Sequence, residues 1–256
     1  MKLKHTALAL PALLSLGTLA SLAPVAAQAE EASPVSYNVG VVSDYRYRGI
    51  SQSRLRPALQ GGVDYANGPI YLGTWLSTIK WVKDGGGGDA PVEWDIYGGT
   101  KGDIVKDTLS YDVGALGYLY VGNKLGSVAG FANANTGEAY AALTYKMFTA
   151  KYSYAFTNLF GTGDSKGSGF FDLTANFDLG NGFTLTPEAG RQRVKGDNHE
   201  AASYTTYSLT LAKDFGKGLT GTVAFVGTDG KDTFYYTPDG RFTGRNGAVV
   251  GVKYAF

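Results

Sequence analysis

The chain has 256 residues, a formal net charge of +1, 37 glycines, 18 tyrosines, 2 methionines and no cysteine. The lack of cysteine excludes a disulfide scaffold, and the near-zero charge gives no electrostatic ground for nucleic acid as a partner. Past the first residues no apolar run approaches the roughly 18 residues of a spanning helix, so a membrane-crossing form of this chain has to be a closed β-barrel.

At the start, Lys2, Lys4 and His5 precede an apolar stretch over residues 7–23, followed by Ala27-Gln28-Ala29. Basic start, apolar middle and an Ala-x-Ala site predict a secretory signal peptide over residues 1–29, cleaved to leave a barrel over 30–256. Pro11 and Gly17 argue against a lasting membrane helix.

Alternation of apolar and polar residues then predicts about twelve strands, each near the length of a tilted crossing. They are placed at 35–48, 57–66, 70–82, 92–100, 108–121, 138–146, 148–158, 170–179, 183–194, 203–215, 219–228 and 246–256. In the first strand Val35, Tyr37, Val39, Val41, Tyr45 and Tyr47 share one face, and Ser36, Asn38, Asp44, Arg46 and Arg48 the other. Trp94 and Ile96 likewise oppose Glu93, Asp95 and Tyr97. A charge against mid-bilayer lipid costs about 2–4 kcal/mol for Arg or Lys, so the charged face is assigned to the lumen. Pore-lining candidates are Asp44, Arg46, Arg48, Asp64, Lys80, Glu93, Asp95 and Asp112, with Glu138, Lys151, Asp172, Glu188 and Lys253 further along. Tyr45, Tyr47, Tyr145, Tyr207 and Trp81 fall where an aromatic girdle sits. In 183–194, Arg191 and Arg193 take the parity of Phe183 and Leu185. Either they reach the headgroup level or Pro187 and Gly190 mark a face-switching bulge, and the bulge is preferred.

The connections alternate in length. Short turns stand at Asn67-Gly68-Pro69, Met147, Gly180-Asn181-Gly182 and Gly216-Lys217-Gly218, where Asn-Gly and Gly-Asn pairs supply positive φ. Long loops occupy 49–56, 83–91, 122–137, 159–169, 195–202 and 229–245, and 101–107 is expected as a turn of medium length. This is the outer-membrane layout, with turns and both termini in the periplasm. The final strand alternates through Ala248, Val250, Val252, Tyr254 and Phe256. It looks like the signal read by the barrel-assembly machinery, save that Val249 stands where a polar residue is usual.

Several motifs resemble the TorF family of porins. They are the run from Ser43-Asp44-Tyr45-Arg46-Tyr47-Arg48-Gly49 through Ile50-Ser51-Gln52, then Pro57-Ala58-Leu59-Gln60-Gly61, Asp64-Tyr65 and Gly73-Thr74-Trp75. Glu93-x-Asp95-x-Tyr97-x-Gly99, Tyr111-Asp112-x-Gly114 and Gly117-Tyr118-Leu119-Tyr120 extend the likeness. The resemblance is dense over 39–120, and it implies an outer-membrane barrel and a pore without naming a solute.

The expected function is therefore passive diffusion of small hydrophilic solutes through a narrow, charge-lined lumen. The expected partners are those solutes, outer-membrane lipid and lipopolysaccharide, and the assembly machinery through residues 248–256. One alternative is a lumen filled by ion pairs, in a barrel that acts through loops 122–137 and 229–245. A second is a hydrolase using His199. No catalytic, metal or cofactor residues are assigned.

Overall fold

The computed structural model describes residues 33–196 and 198–256, so the expected signal peptide, residues 1–29, lies outside the described residues. Fifteen strands follow in chain order: β1 Val35–Val42, β2 Arg46–Tyr47, β3 Ile50–Ser51, β4 Ala58–Asn67, β5 Ile70–Thr78, β6 Val92–Val105, β7 Leu109–Tyr120 and β8 Thr136–Tyr145. The rest are β9 Phe148–Ala155, β10 Gly169–Ala175, β11 Phe177–Gly180, β12 Phe183–Arg193, β13 Tyr204–Gly216, β14 Leu219–Thr228 and β15 Gly247–Ala255. β2 and β3 form a sheet of their own. β10 and β11 both pair with β12 and make one wall strand interrupted at Asn176. Twelve wall strands remain, all antiparallel, and they close because β1 pairs with β4 on one side and β15 on the other.

The outer face follows the alternation. Leu185, Leu211, Val223 and Val250 form one continuous cross-strand row, and Leu211, Val223 and Val250 are exposed, as are Leu72, Ile96, Val113, Leu143 and Leu173. An aliphatic surface of this extent suits hydrocarbon and not water. The barrel is a transmembrane one. Inside, large rings are accommodated by glycine on the neighbouring strand. Tyr97 lies over Gly73, Tyr71 over Gly99 and Tyr140 over Gly114, each the cross-strand partner of its ring, and a Cβ at any of these glycines would collide with the tyrosine.

The structure corrects four expectations. β6 continues to Val105 because Lys101, Gly102 and Asp103 stay paired with Asp112, Tyr111 and Ser110. The medium-length turn at 101–107 thus becomes a tight one at 106–108, with Asp107 at φ 57°, and every connection at that rim is short. β5 stops at Thr78, and Trp81 belongs to a short helix, α1 (Trp81–Asp84), where its ring packs edge-on against Tyr120 at 5.0 Å instead of joining a girdle. β12 keeps an unbroken register with β13 from Phe183↔Lys213 to Gln192↔Tyr204, so there is no bulge and Arg191 and Arg193 face outward. Gly190 is required by the Phe170 ring that lies against it. Finally, β1 ends at Val42, and Tyr45 and Tyr47 are buried at 4% and 8% exposure instead of facing lipid.

Two substitutions test these faces. Val223→Arg places a cation on the outer mid-wall and is expected to destabilise the barrel in lipid vesicles by about 2–4 kcal/mol in urea titrations. A loss below about 0.5 kcal/mol would mean that this face does not meet hydrocarbon. Gly114→Leu, which drives a side chain into the Tyr140 hydroxyl and the Gly98 carbonyl, is expected to cost about 1–3 kcal/mol in the same titration.

Candidate functional site

After Val42 the chain is still tied to the wall through Ser43, whose amide donates to Val250 O at 2.8 Å. It then turns into the bore. β2 and β3 pair only with each other, Arg46 opposite Ser51 and Tyr47 opposite Ile50. The two residues between them, Arg48 at φ 47° and Gly49 at φ 84°, are both left-handed, as a two-residue turn of the I′ kind demands. Gly49 is also sterically required, because a Cβ there would collide with Thr206 on β13 and Thr228 on β14. The tip of the hairpin therefore touches the wall at β14 and β13, two and three strands along from β1.

Within the hairpin, Asp44 organises the backbone. Its carboxylate accepts from Arg46 Nε and from the Ser51 and Ser53 hydroxyls, and Ser53 Oγ accepts from the Tyr45 amide at 2.9 Å. Arg46 Nη1 donates to the Gly49, Thr243 and Arg245 carbonyls at 2.9, 3.1 and 3.0 Å, which ties the hairpin to the loop preceding β15.

Three side chains then reach the wall. Tyr45 donates to Glu93 Oε1 on β6 at 2.6 Å and packs edge-on against Trp75. Tyr47 meets the Tyr118 hydroxyl on β7, and Phe160 from the loop after β9 packs against both rings. Arg48 grips Glu138 on β8 with both Nη atoms, at 3.0 and 2.7 Å, and donates to Gln192 Oε1 on β12 at 2.8 Å. Its guanidinium lies 4.4 Å from the centre of the Phe170 ring and 4.8 Å from that of Tyr47. Bidentate carboxylate pairing and stacking together are the work of arginine and not of lysine. One buried cation thus joins β8, β10 and β12 across the bore.

The pore-lining candidates divide into four groups. Asp44, Arg46 and Arg48 are in the lumen, but on the hairpin and not in a ladder on β1. Glu93 and Asp95 line the wall beside it. Asp95 is fully buried, and neither of its carboxylate oxygens has a hydrogen-bond partner among the described residues. Asp64 and Asp112 lie further toward the short-turn rim and accept from the Tyr97 and Tyr71 hydroxyls. Lys80 does not join them, because it is exposed in the connection beyond β5. Sequence parity missed Tyr45, Tyr47, Phe160 and Gln192; the Arg48-Gly49 pair inside an alternating run is the one local mark of the turn. His199 is exposed in the loop after β12, with Nδ1 3.0 Å from Gly196 O.

The family model that matches residues 26–256 is Gcw_chp, described as a bacterial protein of unknown function. The chain belongs to the Gcw_chp family. No curated protein matches it in sequence. Among solved structures it is similar to a KdgM porin in complex with disordered oligogalacturonate, at 9% identity and a TM-score of 0.51, with 87% of this chain and 98% of that one covered. It is similar also to the NanC porin, at 12% identity and a TM-score of 0.52, with the same coverage. At such identities the likeness is one of fold: this Gcw_chp chain is an outer-membrane-type barrel, and nearly the whole of each porin chain is matched.

Arg48→Ala removes the guanidinium and leaves Glu138 and Gln192 facing each other in the bore. It is expected to cost about 3–5 kcal/mol of stability, with Arg48→Lys recovering only part. A loss under about 1 kcal/mol for the alanine variant would show that water already solvates the pair.

Proposed function

We propose that the protein is a narrow porin of the bacterial outer membrane, through which small hydrophilic solutes diffuse passively, and that the β2–β3 hairpin sets its aperture. The observation that carries this reading is a closed wall with a polar bore, crossed by a hairpin that shares no strand ladder with it. Side chains hold the hairpin to the wall strands, and backbone bonds from Ser51 to Thr243 and from Lys80 and Trp81 to Gln52 hold it to the neighbouring connections, so the wall ladder itself does not depend on it. The porin fold of the solved relatives and the TorF-like motifs of the first half support the same reading.

The pore lining consists of Asp44, Arg46 and Arg48 on the hairpin, Glu93 and Asp95 beside it, and Asp64 and Asp112 below. Lys80 stands only at the outer rim. Inward-facing acids on the wall (Asp64, Glu93, Asp95, Asp112, Glu138, Asp172 and Glu188) outnumber the lysines Lys101, Lys151 and Lys253, which favours cations over anions. The short-turn rim then faces the periplasm and the long loops face outward. Export uses residues 1–29 as a cleaved signal, assembly uses residues 248–256, and lipid with lipopolysaccharide surrounds the wall.

Single-channel recording in a planar bilayer tests this proposal. The wild-type barrel is expected to give small, cation-preferring steps, and Tyr47→Ala with Arg48→Ala steps several-fold larger. Asp64→Asn with Asp112→Asn is expected to lower the cation preference without enlarging the steps. Folded barrels that stay silent in both the wild type and the hairpin variant would overturn the porin reading.

A further inference from the structure

At the long-loop end of β12, Arg191, Arg193 and Lys195 are exposed while Gln192 and Val194 between them are buried, so three cations leave the outer side of the wall at alternate positions. β12 begins at Phe183, near the opposite rim. Ten residues at about 3.4 Å each, on a strand tilted near 40°, place Arg193 roughly 25 Å above Phe183, about the height of the apolar band of such barrels. The three cations therefore stand where hydrocarbon gives way to headgroups. A basic side chain is tolerated at that level, whereas at mid-wall it is strongly destabilising.

Their surroundings are built for an anion. Arg191 donates to Thr205 Oγ1 at 3.0 Å and has Asp229 at 3.8 Å on its β13 side. The side chains of Arg193 and Lys195 make no hydrogen bond or ion pair among the described residues. Gly169 on β10 stands between Arg193 and Tyr154 in the ladder, so the wall has no Cβ there, and the Tyr152 ring leans over the gap. Lys195 Nζ and the Tyr154 hydroxyl both overhang Gly167, at 2.9 and 3.4 Å from where its Cβ would stand. Tyr152 and Tyr154 are themselves exposed. The outer surface here thus carries three cations and two phenolic hydroxyls beside exposed aromatic rings.

We propose that this basic patch binds the phosphates of the outer-leaflet glycolipid, a lipid A bearing two of them. From Arg191 to Lys195, two residues past the end of β12, extended chain spans up to about 13 Å, which suits two separated phosphates better than the single one of a glycerophospholipid. The exposed aliphatic wall beneath accepts the acyl chains. The inference rests on the outer-membrane orientation proposed above and is independent of whether the bore conducts.

The test is a titration of the refolded barrel with diphosphoryl lipid A, dephosphorylated lipid A and phosphatidylglycerol, read by native mass spectrometry. Conductance is recorded on the same preparation, so that failure of the site and failure of the porin reading are seen separately. Diphosphoryl lipid A is expected to bind at least tenfold tighter than either of the others. The triple variant Arg191→Ala, Arg193→Ala, Lys195→Ala should lose that preference, and Arg191→Lys with Arg193→Lys should keep most of it. Heat-modifiable gel migration checks folding. If the triple variant does not fold, Arg193→Ala and Lys195→Ala singly should each weaken binding threefold or more. Equal binding by wild-type and alanine variants would overturn the proposal, as would equal affinity for dephosphorylated lipid A or for phosphatidylglycerol.

Discussion

A backbone amide in hydrocarbon has no water to turn to, and this constraint governs the whole molecule. It is met by the pairing of β1 with β15, which converts a twelve-stranded sheet with two open edges into a wall with none. Once the wall is closed, strand alternation leaves each residue one of two environments. Leu211, Val223 and Val250 go to lipid, whereas Glu93, Asp112 and Glu138 go inside. The glycines opposite Tyr71, Tyr97 and Tyr140 follow from the same closure, because rings of that size fit inside only where the neighbouring strand gives up its side chain.

The hairpin obeys different physics. Its amides are not exposed to lipid, so nothing obliges it to join the wall ladder, and it is held by an arginine–carboxylate grip, edge-on rings, hydroxyl contacts and a few backbone bonds to the connections around Thr243 and Lys80. Such contacts are short-ranged and separable. Wall and hairpin can therefore differ in mobility within one chain, the first fixed by its closed ladder and the second by local bonds around Arg46, Arg48 and Ser51. The bore also differs from one side to the other. The hairpin anchors its phenols and Arg48 on the tyrosine- and acid-rich wall of β6 to β8, and it meets β13 and β14 at Thr206 and Thr228, where the wall is small and hydroxylated.

Most of the wall was legible in the sequence, because a period of two records which face meets lipid. Strands such as 219–228 were placed at their observed bounds, and Asn181-Gly182 forms its turn with the positive φ expected of it, at 51° and 74°. The first connection was not legible. Tyr45 and Tyr47 keep the parity of Val39 and Val41, so a hairpin inside the barrel and a strand continuing through lipid write the same alternating pattern. Only long-range partners such as Glu138 and Gln192 separate the two. The site residues were therefore found as charges inside the barrel, but their grouping was not. Gly102-Asp103 misled for a related reason: turn-forming residues end a strand only when the opposite strand also stops, and Tyr111 and Ser110 do not. At Arg191 and Arg193, parity was right, and the supposed bulge was an unneeded rescue.

The seat of the hairpin also dictates an order of assembly. The residues that hold it arrive from β6, β7, β8 and β12, and the carbonyls of Thr243 and Arg245 come from the segment just ahead of β15. Although the hairpin is made early in the chain, its socket is complete only when the last strand is delivered. Contacts of such sequence separation form late. Seating the hairpin, and with it setting the aperture, thus becomes the final act of folding, a built-in mark that the wall is whole.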